Sequence, residues 1–334
     1  MILLTEDSDI MKKVLKKVFL VSVLLFICFY EFPYYIDAPG GLDNINNKVK
    51  VDNAYNSKGS INLSYVSQYK ATLPMLLVAY FNPNWKIESK NKEQIKNINY
   101  DELLIRERLE MKQSYSNAIR YAYEKASKKV EVIEEKCSVI YVFDEAETDL
   151  KVGDQILSID DKEIKKCIDI STIVDTKKEN DKSIVKVINN NKKYERNVKY
   201  KSLNGNMIIG IQLSTEYILE TDPKYKFKYS DREYGPSGGL MISLAVYNSL
   251  VEDDITKGKK IAGTGTLSYT GEVGPIGGVD YKLKGAVKKK ANVFFVPSGD
   301  NYEEAVKLKE KNKYKIDIVE VKTFDDTLNY LEKM

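Results

Sequence analysis

The sequence predicts an α+β protein with an N-terminal helix and about two folded domains behind it. At roughly 150 residues per domain, 334 residues correspond to about two domains. Stretches that alternate apolar and polar residues, as strands do, are interspersed with stretches of helical apolar spacing. The charges nearly cancel, with 52 basic and 49 acidic residues. We therefore predict no nucleic-acid partner, because such proteins usually present a broad basic surface.

Histidine is absent from the sequence, which restricts the chemistry more than any other feature of the composition. A Ser-His-Asp triad, a Cys-His pair and a His-ligated zinc site are excluded. The three cysteines, Cys28, Cys137 and Cys167, are too few and too scattered for a disulfide scaffold or a cysteine-rich zinc site. Whether Cys137 and Cys167 pair stays open. We predict no cofactor and no metal.

The N-terminal helix has the pattern of a membrane anchor. Four lysines lie within residues 12–17, and the apolar run 18–30 follows them. We predict a cytoplasmic N-terminus over 1–17 and a transmembrane anchor over 18–36, whose tyrosines would lie at the interface. A cleaved signal peptide and a buried core helix remain alternatives. The lysines place everything after the anchor on the extracytoplasmic side, beginning with a connector over 37–57.

Residues 58–129 predict a strand followed by a long helix. Ile61–Tyr65 alternates apolar and polar residues, as a half-buried strand does. Between Asp101 and Lys129, apolar residues recur at helical spacing, among them Tyr115 and Ile119. We expect one long amphipathic helix there.

Residues 130–202 predict a β-rich domain. Leu150-Lys-Val-Gly-Asp-Gln-Ile-Leu-Ser-Ile-Asp160 places a Gly-Asp turn directly before a strand, and a short helix and two further strands follow. The run resembles a PDZ domain, with Asp161 where glycine is usual. The resemblance implies capture of an extended peptide by strand addition. Glu134 and Glu135 stand where a glycine-rich carboxylate loop is expected, so C-terminal recognition is left open, as is a spacer without a ligand.

The last third contains the strongest chemical signal, Gly235-Pro-Ser237-Gly-Gly239. It matches the G-x-S-x-G turn of α/β-hydrolases, but those enzymes need a histidine. A buried lysine can replace that base, because desolvation favours its neutral amine. Glycines let the backbone approach a substrate carbonyl, and a helix starting near Gly239 would direct free amides at an oxyanion.

Taken with two further features, this turn resembles the proteolytic domain of the Lon family of Ser-Lys proteases. The features are the segment Thr264-Gly-Thr-Leu-Ser-Tyr-Thr-Gly-Glu-Val-Gly-Pro-Ile-Gly-Gly278 and a lysine four residues after it. The resemblance implies Ser237 as nucleophile and Lys282 as general base. Thr264 would orient the lysine. Gly235, Pro236 and Gly238 would support the serine.

The resemblance also reorganises the chain. Residues 58–129 and 203–334 would together form one Lon-type catalytic domain, with the fold of ribosomal protein S5 domain 2, and the PDZ-like domain would be inserted into it. This is the arrangement of membrane-anchored Lon-like proteases with an internal PDZ domain. The sequence contains no G-x-x-x-x-G-K-[ST] loop, so proteolysis should not need ATP.

We therefore predict a membrane-anchored, ATP-independent serine endopeptidase that cleaves surface or membrane-associated polypeptides. Its PDZ-like domain would assist substrate capture, and the Lon resemblance implies a homo-oligomer. Two alternatives stay open: a catalytically silent PDZ-type adaptor that binds partner proteins at the membrane, and a protease that cleaves only itself.

Overall fold

The structure, a computed structural model, describes residues 3–89, 100–230 and 232–334. Its helices are α1 (Leu3–Phe29), α2 (Leu73–Phe81), α3 (Tyr100–Lys125), α4 (Cys167–Val174), α5 (Gly239–Leu250), α6 (Val279–Lys288), α7 (Asp300–Asn312) and α8 (Phe324–Lys333). Its strands are β1 (Tyr34–Asn44), β2 (Val49–Val51), β3 (Ser60–Lys70), β4 (Lys86–Ser89), β5 (Lys129–Val142), β6 (Gln155–Ile159), β7 (Lys162–Glu163), β8 (Lys182–Asn189), β9 (Lys192–Lys199), β10 (Lys201–Leu203), β11 (Asn206–Ile208), β12 (Ile211–Asp222), β13 (Tyr225–Phe227), β14 (Lys260–Gly263), β15 (Thr266–Leu267), β16 (Val273–Gly274), β17 (Val293–Pro297) and β18 (Asp317–Val321).

The chain divides into two units, and the smaller one combines Met1–Gly40 with Val66–Asn97. In this unit β1 pairs antiparallel with β4, and Ile36 is buried with Ala71 and Ala79. The predicted helix over 18–36 is wrong after residue 29, because α1 ends at Phe29 and β1 begins at Tyr34. Pro33 lies between them, and proline disrupts a helix interior. Among the helices of the described residues, none combines the length and the low charge expected of a membrane span.

The predicted connector over 37–57 is also wrong, because much of it is regular structure. It contains the rest of β1, one turn of 3-10 helix at Ile45–Asn47, and β2. The strand β2 pairs antiparallel with β13, and Ile45 is buried in the core of the larger unit. The asparagines form a local turn in which the Asn44 side chain accepts a hydrogen bond from the Asn46 amide.

The larger unit is built on a parallel sheet with the strand order β18-β17-β14-β3. Helix α6 connects β14 to β17, and α7 connects β17 to β18. Phe294 and Phe295 in β17 point to opposite faces of this sheet and are both fully buried. The carboxyl end of β14 leads directly into Thr264.

Helices α3 and α5 pack together on one face of the sheet. The helical spacing of the sequence is confirmed, because Tyr115, Ala118, Ile119 and Ala122 are all buried in this core. The helix ends at Lys125, four residues before the predicted end, and Lys129 already belongs to β5. The partner helix α5 is apolar almost throughout, so it lies fully inside the unit.

The inserted β-rich part forms an antiparallel sheet with the strand order β12-β5-β6-β8-β9. It has its own core under helix α4. Because β12 pairs with β5 along almost its whole length, this sheet continues past residue 202 to Asp222. Asp161 has a φ of 62°, a left-handed conformation that explains why glycine is usual at this position of the motif.

The Gly-Asp turn of the insert has a structural role. The side chain of Asp154 is fully buried, and its carboxylate accepts hydrogen bonds from the Lys151 amide, the Asn189 side chain and the Arg196 guanidinium. A buried carboxylate needs such partners, because desolvation without them is costly. The turn therefore fixes the start of β6 against β8 and β9.

A disulfide joins Cys137 in β5 to Cys167 at the start of α4, which settles the pairing that the sequence left open. The helix start is held a second time, because the Glu135 carboxylate accepts a hydrogen bond from the Cys167 amide at 2.9 Å. One of the two glutamates that replace the glycine-rich loop thus caps α4. Cys28 is free.

Removing the disulfide should destabilise the insert. The two cysteines are 30 residues apart, and closing a loop of that length stabilises a fold by about 3.5 kcal/mol through the unfolded state. The Cys137→Ser/Cys167→Ser double variant should therefore unfold at lower urea concentration than the wild type, and the Cys28→Ser control should not. Unchanged unfolding of the double variant, or of the wild type after reduction, would contradict the prediction.

Candidate functional site

Ser237 lies in the turn that precedes α5, and α3 holds this turn from the side. The Gly235 amide donates a hydrogen bond to the Glu107 carbonyl, and the Ser114 hydroxyl donates one to the Pro236 carbonyl. Gly235 has a φ of 89°, which favours glycine. Two anchor points on one helix therefore set the path of the chain into Ser237.

Lys282 lies in the first turns of α6 and reaches Ser237. Its Nζ donates a hydrogen bond to the Ser237 Oγ at 2.9 Å, and only 4% of the residue is exposed. Burial lowers the pKa of Lys282 to about 8, because desolvation disfavours the ammonium, and the negative charge of Glu107 opposes this shift. About one tenth of the lysine is then a neutral amine at pH 7.

Thr264 joins the two residues. Its hydroxyl oxygen accepts a hydrogen bond from Lys282 Nζ at 3.1 Å and donates to the Ser237 carbonyl at 3.1 Å. The residue is fully buried directly after β14, and its amide donates to the Phe295 carbonyl. The end of the central strand therefore fixes both the amine and the serine backbone.

Two backbone amides beside the serine are available to a ligand. Within the described residues, the amides of Ser237 and Gly238 have no acceptor. The expectation that α5 itself presents free amides needs correction, because the Gly239 amide donates to Pro236 and the Leu240 amide to Gly265. The two free amides belong to the two residues directly before α5, next to the Ser237 hydroxyl.

Tyr115 of α3 explains why glycine follows the serine. A Cβ atom at Gly238 would lie 2.9 Å from the Tyr115 hydroxyl and 3.0 Å from a Leu63 methyl group. Distances this short require a shift of neighbouring atoms, and Tyr115 is itself buried in the core. The space that a larger residue would need is therefore filled by the tyrosine.

Glu107 is the acidic residue that acts on the lysine. Burial and the neighbouring Glu110 raise the pKa of Glu107, whereas Arg106 and Lys282 lower it. A Cβ atom at Gly235 would lie 3.0 Å from its Oε2, so the carboxylate borders the serine turn. Glu110 itself forms an ion pair with Arg106 at 2.9 Å.

The structure brings all six predicted site residues together: Ser237, Lys282, Thr264, Gly235, Pro236 and Gly238. Lys284, two residues after Lys282, points away from this group and pairs with Asp280. The sequence reasoning missed Glu107, Ser114 and Tyr115. All three lie on α3, more than a hundred residues before the serine, and no local motif marks them. Within the described ranges, no group of three or more His, Cys, Asp or Glu side chains is placed to hold a metal ion.

Residues 232–333 match the family of the Lon protease (S16) C-terminal proteolytic domain. The C-terminal part of the chain is therefore similar to Lon-type proteolytic domains. It is 34% identical over 94 residues to an archaeal Lon protease from Thermoplasma acidophilum and 36% identical over 97 residues to a Lon protease from Campylobacter jejuni. The matches cover 28% and 29% of this chain but 14% and 12% of those proteins. The chain thus spans far less than two thirds of the length of these relatives.

The PDZ domain of an SdrC-like protein from Listeria monocytogenes is a structural neighbour of part of the chain. It is 24% identical, with a TM-score of 0.23, and the match covers 25% of this chain and 92% of that one. The PDZ character of the insert stays a prediction.

Replacing Lys282 with methionine should stabilise the larger unit. An ordinary lysine has a pKa of 10.5, so between about pH 8 and 10.5 the unfolded chain binds more protons than the folded one. The contribution of Lys282 to wild-type stability should therefore rise with pH across that window, and below it the buried ammonium costs about 3 kcal/mol. Lys282→Met should unfold at higher urea concentration at pH 7, and its advantage should shrink toward pH 10. If the stability gain of Lys282→Met stays constant with pH, the pKa of Lys282 is not lowered in the folded chain.

Proposed function

We propose that this protein is an ATP-independent serine endopeptidase in which Ser237 is the nucleophile and Lys282 the general base. The observation that carries the proposal is the 2.9 Å hydrogen bond between the buried Lys282 amine and the Ser237 hydroxyl, inside a Lon-type proteolytic domain. Thr264 orients the amine. Every group that the reaction needs is then present without histidine.

The reaction follows from this geometry. Neutral Lys282 takes the proton from the Ser237 hydroxyl as its oxygen attacks the peptide carbonyl, and the amides of Ser237 and Gly238 stabilise the resulting oxyanion. The lysine then gives its proton to the leaving amine as the C–N bond breaks. A water molecule, deprotonated by the same lysine, attacks the serine ester, and the lysine returns that proton to the Ser237 oxygen as the ester bond breaks and the peptide acid leaves. The lysine must be neutral at the start, so its low pKa is a requirement for activity.

We further propose that residues 18–29 of α1 anchor the protein in a membrane, with the folded part on the extracytoplasmic side. Large apolar side chains are exposed along this segment, and four exposed lysines precede it. The Cys137–Cys167 disulfide favours an oxidising compartment. The substrates would then be surface or membrane-associated polypeptides, cleaved by a homo-oligomer such as the Lon resemblance implies.

The PDZ-like insert would capture extended polypeptide by strand addition. One part of its β12 edge is already occupied. The Tyr217 amide donates to the Ser116 hydroxyl of α3, and the Ser214 hydroxyl donates to the Leu109 carbonyl. Capture along β12 would therefore use the residues on either side of this contact.

The first test is cleavage of an unfolded polypeptide such as casein by the full chain without ATP. Ser237→Ala and Lys282→Ala should each reduce cleavage by at least about a thousandfold while the circular dichroism spectrum stays unchanged. Lys284→Ala is the matched control, because Lys284 lies two positions beyond Lys282 on the same helix and pairs with Asp280. Equal cleavage by wild type and Ser237→Ala would contradict the proposal. Partner binding without any turnover would favour the adaptor.

The second test concerns the charge beside the lysine. The Glu107 carboxylate favours the ammonium form of Lys282. Glu107→Gln should therefore lower the pKa of Lys282 and move the acidic limb of the kcat/KM profile to lower pH, which raises the rate at pH 7. Glu110→Gln, one turn further along α3, should leave the limb in place because Glu110 pairs with Arg106. A shift in the opposite direction would show that Glu107 does not act through charge.

A further inference from the structure

The short helix α2 presents an apolar surface that the proposed chemistry does not use. Its nine residues, Leu-Pro-Met-Leu-Leu-Val-Ala-Tyr-Phe, contain no charged side chain. Leu77 is 54% exposed, Tyr80 79% and Phe81 80%, whereas Ala79 on the opposite side is buried. Soluble surfaces rarely keep such residues contiguous and exposed.

The segment that follows α1 contacts the residues directly before α2. The Phe32 amide donates a hydrogen bond to the Ala71 carbonyl at 2.9 Å, and Glu31 forms an ion pair with Lys70 at 2.6 Å. The two helices contact each other within the smaller unit, and Phe32 packs on the cluster of Ile36, Ala71 and Ala79. The exposed face of α2 thus lies next to the exposed apolar end of α1.

The aromatic residues around α2 fit a lipid headgroup region. Tyr69 and Trp85, which flank the helix in sequence, stack with ring centroids 5.3 Å apart. Tyr80 and Phe81 extend from its last turn. Tyrosine and tryptophan concentrate at membrane interfaces, where one part of the ring is in apolar and the other in polar surroundings. At ~1.5 Å per residue α2 is about 14 Å long, too short to cross the ~30 Å core but long enough to lie in the interface.

We propose that α2 is a second membrane-binding element, which lies in the plane of the bilayer interface with Leu77, Tyr80 and Phe81 in the lipid. The proposal rests on the anchoring by α1. The apolar run 18–29 of α1 extends about 18 Å, less than the hydrocarbon core, and α2 adds apolar surface where the chain leaves it. With α1 alone, the smaller unit could rotate about one attachment point. Contact through both α1 and α2 would fix its orientation on the bilayer.

The test uses the full chain in phosphatidylcholine vesicles that contain a minor fraction of phosphatidylglycerol. The sequence has one tryptophan, Trp85, so Trp85→Phe gives a background without indole fluorescence. Phe81→Trp in that background should lose about half its fluorescence to lipids brominated near the headgroup end of their chains. Tyr55→Trp, at an exposed site of the larger unit, is the matched control and should not be quenched.

Three outcomes would overturn the inference, and they differ in what they leave standing. If the chain sediments with the vesicles but the tryptophan at position 81 is not quenched, α2 is not in the lipid although α1 still anchors the protein. If neither brominated lipids nor aqueous quenchers reach that tryptophan, and Phe81→Cys chains cross-link to each other, a second copy of the chain covers the exposed face of α2. If the wild type does not sediment with vesicles, the anchoring fails together with this inference, and the Ser237 chemistry is untouched.

Discussion

A single buried lysine is the constraint on which the rest of this fold depends. In the proposed reaction, Lys282 has to be buried enough to lose its proton near neutral pH and held firmly enough to reach the Ser237 oxygen. Desolvation achieves the first, and it makes the ammonium form unfavourable in the folded chain. The second needs Thr264, which gives the amine a hydrogen-bond acceptor inside the core. Burial of the surrounding apolar side chains must therefore offset the free-energy cost of burying this ammonium group.

Helix α3 is the scaffold that connects this lysine to the remainder of the protein. From one side it holds the serine turn through the Glu107 carbonyl and the Ser114 hydroxyl, and it places the Glu107 charge where the lysine responds to it. From the other side it bonds to β12 of the insert through Ser116. The same helix therefore contacts both the serine turn and the antiparallel sheet of the insert.

The sequence predicted that Ser237, Lys282 and Thr264 act together, and the structure places the hydroxyls of the serine and the threonine within hydrogen-bond distance of Lys282 Nζ. Without histidine, a serine in a glycine-rich turn has only a lysine to act as base, and Lys282 has the right spacing. The predictions about the N-terminus were less accurate. Its apolar composition does not show where a helix stops, and the stop depends on Pro33 together with the pairing of β1 with β4. That pairing joins segments about fifty residues apart, so no local pattern reports it.

The same limit explains why Glu107 and Tyr115 were missed. Each lies within a regular amphipathic pattern. Such a pattern predicts a helix, and α3 is that helix. Their second role arises only because the serine turn passes over the helix, bringing Gly235 to the carboxylate and Gly238 to the ring. The glycine after the serine can be recognised as part of a motif. The residue that leaves no space for a larger side chain there, Tyr115, lies far away in the sequence. Motifs therefore identify the side chains that are proposed to react, whereas the residues that surround these side chains follow from packing.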